Sequence, residues 1–125
     1  MQCADQTLLT TYACDTTSCG RFRTYNRTHC GRCVPCMVRK AAIHRWGLSD
    51  TTRYKFSALS GAGKTSADDP MAVACAVLAA EQRGIDSFLG ATLAFASDAD
   101  RPHYRRVAEQ GLAELAALLR RDGVL

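Results

Sequence analysis

Cys30-Gly31-Arg32-Cys33-Val34-Pro35-Cys36 sets three cysteines at a constant spacing of three, and Cys14 and Cys19 stand shortly upstream. A two-residue gap between cysteines folds as a tight turn. Consecutive thiolates can then converge on one small ion, and tetrahedral zinc closes its shell with four of them. The same run with a remote cysteine also suits an iron–sulfur cluster. Cys33-Val34-Pro35-Cys36 alone has the form of a Cys-x-Pro-Cys redox centre, but that centre needs strands on both sides. Here a polar loop precedes it and helical patterns follow, so the metal reading comes before the redox one.

The surrounding sequence is consistent with this. Residues 13–32 show no hydrophobic period and are rich in Thr, Ser, Asn, Gly and Arg, as a loop is. A loop of that length needs something to tie it down, and a metal would do so. Pro35 fits a first helical turn and Gly47 a C-cap, which predicts a helix from about Pro35 to Trp46. Its expected apolar stripe is Val38, Ala41, Ala42 and Trp46, with Arg39, Lys40 and Arg45 outward. Residues 5–12 read equally as a short helix or an edge strand. The abrupt start before the cysteines suggests a fragment or a split subunit. Asp50 is placed to cap a short turn through Tyr54.

Ser60-Gly61-Ala62-Gly63-Lys64-Thr65-Ser66 reads as a linker, which divides the chain into a zinc-binding region, 1–60, and a helical region, 61–125. Its Gly-Lys-Thr trace lacks the glycine that a phosphate loop needs at position 58, where Ala58 stands. Beyond it, Asp69 and Pro70 open a helix ending at Gly84, with Cys75 expected in its core. A second helix is expected over Ile85–Ala96. A third spans Arg101–Arg121, with Asp100 as its cap, Tyr104, Val107, Gly111, Leu115 and Leu118 at helical spacing, and Gly123 as its stop. The fold class is therefore mainly α: a zinc-stapled loop followed by a helical bundle.

Composition narrows the functional classes. The 125 residues are 47% hydrophobic and 7% aromatic, with seven cysteines, an odd number that clusters. Clustered thiols without a signal peptide point to a metal in a cytoplasmic setting, and no apolar run suits a membrane. Charge is uneven: residues 1–64 carry ten Lys/Arg and three Asp/Glu, whereas residues 65–125 carry six and nine. A basic face beside a metal loop suits a nucleotide or nucleic acid, although charge alone favours a solvated basic surface. His29 is close enough in sequence to replace a thiol, but with five thiols nearby it reads as a neighbour. His44 and His103 read as structural or solvent-facing. Cys3 reads as a free terminal thiol. No catalytic triad or carboxylate pair presents itself.

The motifs resemble those of the 7-cyano-7-deazaguanine (preQ0) synthase family. Thr16-Thr17-Ser18-Cys19 is similar to its Thr-x-Ser-Cys, and residues 30–36 to its Cys-Gly-x-Cys-x-x-Cys loop. Arg39 matches the arginine of its Cys-x-x-Arg. Gly47, Asp50, Thr52 and Tyr54 resemble its Gly-x-x-Asp-Pro-Thr-x-Tyr tail, with Thr51 in place of the proline. The match covers about residues 8–54 and most resembles relatives found in bacterial antiviral-defence operons. The resemblance implies Zn2+ held by Cys19, Cys30, Cys33 and Cys36, with Cys14 a rival first ligand, and substrate contact by Arg39. It also implies the C-terminal part of an α/β ATP-pyrophosphatase-type fold. Family enzymes use ATP and ammonia to turn 7-carboxy-7-deazaguanine into the nitrile. Their Ser-Gly-Gly-x-Asp-Ser nucleotide loop does not occur in this sequence. ATP would therefore enter only through an ATP-binding partner portion or subunit, and the deazapurine substrate would be shared with it. The alternative is a stand-alone zinc-binding interaction module for protein or nucleic acid.

Overall fold

The computed structural model describes residues 5–60 and 69–125. Cys3 and the Gly61–Ser66 linker, with its Gly-Lys-Thr trace, lie outside the described residues. Five α-helices follow in order: α1 Gln6–Asp15, α2 Val34–Trp46, α3 Asp69–Arg83, α4 Ile85–Leu89 and α5 Arg101–Arg121, with a 3-10 turn, Gly90–Leu93, after α4. No sheet forms among the described residues. The one extended pairing is a parallel bridge between His29 and Tyr54.

The alternatives open for residues 5–12 resolve as helix. Asp5 accepts the Leu8 N–H at 2.9 Å, a side-chain N-cap. The Thr10 and Thr11 hydroxyls turn back onto the carbonyls of Gln6 and Thr7, an in-helix bond that Thr makes readily.

In α2, Pro35 lies in the first turn and Gly47 closes the helix at φ +77°, as the sequence indicates. The rotation of the helix differs from the expected one. Cys36, Met37, Lys40, Ala41 and Ile43 are buried, while Val38 and Trp46 are 49% and 42% exposed and Ala42 is also exposed. The cause is the thiol pair. Cys33 and Cys36 must face the cluster, and residues one turn on from Cys36 and Met37, namely Lys40 and Ala41, are carried inward with them.

In α3 the buried residues Pro70, Val73, Ala74 and Val77 recur at helical spacing. Cys75 is exposed rather than in the core, because it lies on the face opposite this stripe. Met71 is likewise exposed. The helix expected over Ile85–Ala96 stops at Leu89, since Gly90 adopts φ +46°, ψ −125°, outside helical space. Asp100 occupies the position before α5 but makes no side-chain cap there. It accepts the Ser97 hydroxyl at 2.7 Å instead. The stripe of α5 is buried only in its second half. Ala116, Leu118 and Leu119 are covered, whereas Tyr104 and Val107 are exposed. α2 and α3 lie against α5, and the buried part of α5 is its second half.

The core holds Met37 and Ala41 of α2, Leu59, Val73, Ala74 and Val77 of α3, and Ala116, Leu118 and Leu119 of α5. It draws on both sides of residue 60. α2 thus has two buried duties: Cys36 enters the thiol cluster, and Met37 and Ala41 enter the aliphatic core.

Candidate metal centre

Four buried thiols, Cys19, Cys30, Cys33 and Cys36, place their sulfurs within 4.8 Å of one another. Cys30 Sγ lies 3.9 Å from Cys36 Sγ, and Cys33 Sγ 3.9 Å from Cys19 Sγ. These separations are far longer than a disulfide bond of about 2.05 Å. They match the edge of a tetrahedron with Zn–S bonds of about 2.3 Å, which is roughly 3.8 Å. An iron–sulfur cluster interposes several atoms between its thiolates and spreads them farther apart. The quartet is therefore on the scale of a single ion, and a metal such as Zn2+ fits it.

The backbone is arranged for thiolates. Cys19 Sγ accepts the Cys30 N–H at 3.2 Å. Cys30 Sγ accepts the N–H groups of Arg32 at 3.4 Å and Cys33 at 3.2 Å. Burial raises the Cys30 thiol, but those two backbone donors, together with hydrogen bonding to the Cys33 and Cys19 thiols, outweigh it and the net shift is downward. Burial pushes Cys33 and Cys36 up, Cys36 well above the ordinary thiol range. Four thiolates this close cannot all ionise without a cation among them. A divalent ion supplies the missing charge and draws the thiols to their ligand form.

Gly31 is required by geometry. It has φ +85°, and a Cβ there would sit 2.1 Å from the Phe56 carbonyl oxygen. The close approach belongs to a pairing that fastens the knuckle: Lys55 N–H donates to the His29 carbonyl at 2.8 Å, and Phe56 N–H to that of Cys30 at 3.1 Å. Phe22, Tyr25 and Tyr54 pack against the cysteines. His29 is 5% exposed, lies edge-on to Phe22 and Tyr54, and holds Nδ1 3.9 Å from Cys36 Sγ. Burial, then the Arg39 charge, lowers its pKa, so it stands as a neutral neighbour of the thiols.

Lys40 is buried, with Nζ donating to the carbonyls of Ser57 at 2.8 Å and Phe56 at 3.4 Å and lying 4.4 Å from the Tyr54 ring centre. Its expected outward position is overturned by the rotation of α2. Burial lowers its pKa, opposed by the charges of Asp122 and Cys36. It is a fixed cation close to a centre that becomes anionic when four thiolates bind a divalent ion.

Arg39, expected at a substrate, is engaged within the chain. Its guanidinium donates to the carbonyls of Ala13, at 2.5 Å, and Thr16, and to the hydroxyls of Thr16 at 2.8 Å and Ser18 at 3.3 Å. It ties the end of α1 and the approach to Cys19 onto α2. Asp50, Thr52 and Tyr54 form one turn: Asp50 accepts the Thr52 N–H at 2.9 Å and the Tyr54 hydroxyl at 2.8 Å. Cys14, the rival first ligand, is buried but stands outside the quartet, beside Thr51 and Thr52. The sequence reading missed the closure by residues 54–57 and the inward Lys40. The only signal for the first was the Asp50–Tyr54 tail of the resemblance; no local pattern marked the second.

Comparison of the chain with protein-family models, with characterised proteins and with solved structures finds no match. Of its helices, none among the described residues is long and apolar enough to cross a membrane.

Proposed function

We propose that the chain holds one structural zinc through Cys19, Cys30, Cys33 and Cys36, as the C-terminal zinc-binding portion or subunit of a 7-cyano-7-deazaguanine synthase-like, ATP-dependent enzyme. The observation that carries the zinc is the buried quartet of sulfurs at single-ion spacing. All four positions are protein ligands, so the ion's role is to hold the loop; an open position is the mark of a catalytic zinc. The synthase reading is supported by the motif resemblance. Of the residues which that resemblance groups, Cys19 and Tyr54 meet at the thiol cluster, Arg39 bonds Thr16, and Asp50 holds Thr52 and Tyr54 in one turn. On this reading Arg39 supports the pocket through the loop it fixes, and an ATP-binding partner supplies the nucleotide. A stand-alone zinc-binding interaction module is the second reading, favoured by the exposed cations Arg23, Arg27, Arg53 and Lys55.

Metal analysis of purified chain tests the proposal, with one zinc per chain expected and none for the Cys36→Ser variant. A stoichiometric iron–sulfur chromophore, or no metal, overturns it. The zinc-loaded chain alone should convert no ATP to AMP. Turnover in the presence of 7-carboxy-7-deazaguanine should appear only with a partner carrying the Ser-Gly-Gly-x-Asp-Ser loop. If no such partner restores turnover, the interaction-module reading replaces the synthase one.

A further inference from the structure

The two halves of the chain treat their charges differently. The ion pairs Arg101–Asp98, Arg105–Asp86, Arg105–Glu109, Arg120–Glu81 and Arg121–Asp122 all lie between residues 81 and 122. Residues 21–55 hold nine Lys/Arg and a single acid, Asp50. Of those nine, Arg39 and Lys40 are bound to chain oxygens, while Arg23, Arg27, Arg53 and Lys55 are exposed and show no side-chain partner.

These four share a face. Arg53 and Lys55 flank Tyr54 in the segment bridged to His29. Tyr54 packs on the thiols, while Arg53 and Lys55 on either side of it are exposed. Arg27 and Arg53 line one cleft of about 150 Å³ together with Thr51, Thr52 and His29. Arg27 also borders a second recess with Arg23 and Asn26. The turn that delivers Arg27 is held in the left-handed region at two successive non-glycine residues, Asn26 at φ +51° and Arg27 at φ +59°. Such conformations cost free energy, and they cluster where a side chain must be aimed.

We propose that the face of Arg23, Arg27, Arg53 and Lys55 binds the phosphodiester backbone of a nucleic acid strand, with one phosphate in the cleft between Arg27 and Arg53. Asp15 also lines that cleft. A single small anion meets its opposing charge there, whereas a strand carries further phosphates to the cations outside. Phe22 and Tyr25 pack against the thiol cluster, and the four contacts proposed are all cationic side chains. The contact is therefore with backbone and has little sequence preference. This surface goes beyond the synthase reading and depends only on the loop being ordered.

Fluorescence anisotropy of the zinc-loaded full chain with a labelled single-stranded oligonucleotide, from low to physiological salt, tests the assignment. Binding should weaken as salt rises. The double variant R27Q/R53Q, which loses the one phosphate held between the two arginines, should lower the magnitude of the log–log salt slope by about 0.7 on a single strand. Arg106→Gln, on α5, should leave the slope unchanged. Both cleft arginines are exposed, and an unchanged circular dichroism spectrum shows that the variant folds. No binding at low salt, or an unaltered slope in the double variant, overturns the proposal. Equal competition by poly-glutamate, or by free nucleotide at matched phosphate concentration, also overturns it. Zinc content of the same samples keeps the readings apart. A zinc-free chain fails the metal assignment, and a zinc-loaded chain that ignores the strand fails this one.

Discussion

In residues 16–57 the buried centre is a quartet of sulfurs walled by three aromatic rings, and its loop is pinned by Arg39 and Lys40 bonded to backbone oxygens. In residues 69–125 the buried centre is Val, Ala and Leu contributed by helices, with ion pairs confined to the outside. The first region has too little apolar surface to offset the ordering of its backbone, which costs about 1–2 kcal/mol per residue. Structural zinc sites in small peptides supply roughly 10–16 kcal/mol of apparent binding free energy at neutral pH, a scale that offsets much of that cost. The second region relies on area, at about 25 cal/mol per Å² of apolar surface buried. On the zinc assignment proposed above, metal substitutes for hydrophobic burial in one part of a small chain, and α2 couples the two.

The largest expected effect separates the regions by removing the metal. A strong chelator should abolish amide protection over residues 16–36 and 54–57, while α3 and α5 keep theirs. Hydrogen exchange with and without chelator measures it. Even loss along the whole chain would mean that α2 transmits the collapse and that the molecule is one cooperative unit.

A smaller effect sharpens the comparison inside the first region. Gly31→Ala forces a Cβ to within 2.1 Å of the Phe56 oxygen. It should weaken zinc retention by about 2–4 kcal/mol, from backbone strain and overpacking together. Competition against a chromophoric chelator reads this as a drop of one to three decades, by the rule of about 1.4 kcal/mol per decade. Wild-type affinity in the variant would show that residues 54–57 can move away freely.

The smallest effect lies on the outside of the second region. The Arg105 hydrogen bond lowers the Asp86 pKa, at an exposed position. A carboxylate lowered on folding stabilises the native state above its ordinary pKa, and that contribution disappears as pH falls through the lowered value. Asp86→Asn should therefore reduce the melting temperature slightly at neutral pH and not at all in strong acid. Parallel melts at the two pH values check the sign. A difference that persists in acid would place the cause elsewhere than this pair.

Much of the helical order is legible because it rests on local chemistry. Pro35 and Gly47 bracket α2 to within a residue, and Arg101 and Arg121 bound α5. Three of the four clustered thiols are legible because spacing alone brings Cys30, Cys33 and Cys36 together, whereas spacing left Cys14 and Cys19 as rivals for the fourth place. What local pattern does not determine is rotation and reach. The apolar residues Val38 and Trp46 give way to Lys40 because the sulfurs fix the azimuth of α2, a constraint invisible to hydrophobic period. Tyr104 and Val107 have helical spacing, yet both stay exposed, Tyr104 meeting the equally exposed Phe95 ring edge-on. Gly90 breaks the expected Ile85–Ala96 helix through a backbone angle that the surrounding alanine and leucine pattern conceals. The pairing of His29 with Tyr54 joins residues 25 apart without any strand-like alternation.

That pairing also sets a schedule. The four sulfurs lie between residues 19 and 36, but the segment that closes over them arrives about 20 residues later. At synthesis rates of 5–20 residues per second, the interval is roughly 1–4 s. During it the newly made thiols are together but uncovered, open to any thiophilic ion or oxidant near the ribosome. On the proposed zinc assignment, an ion that enters in this window meets the thiols before Phe56 reaches Gly31.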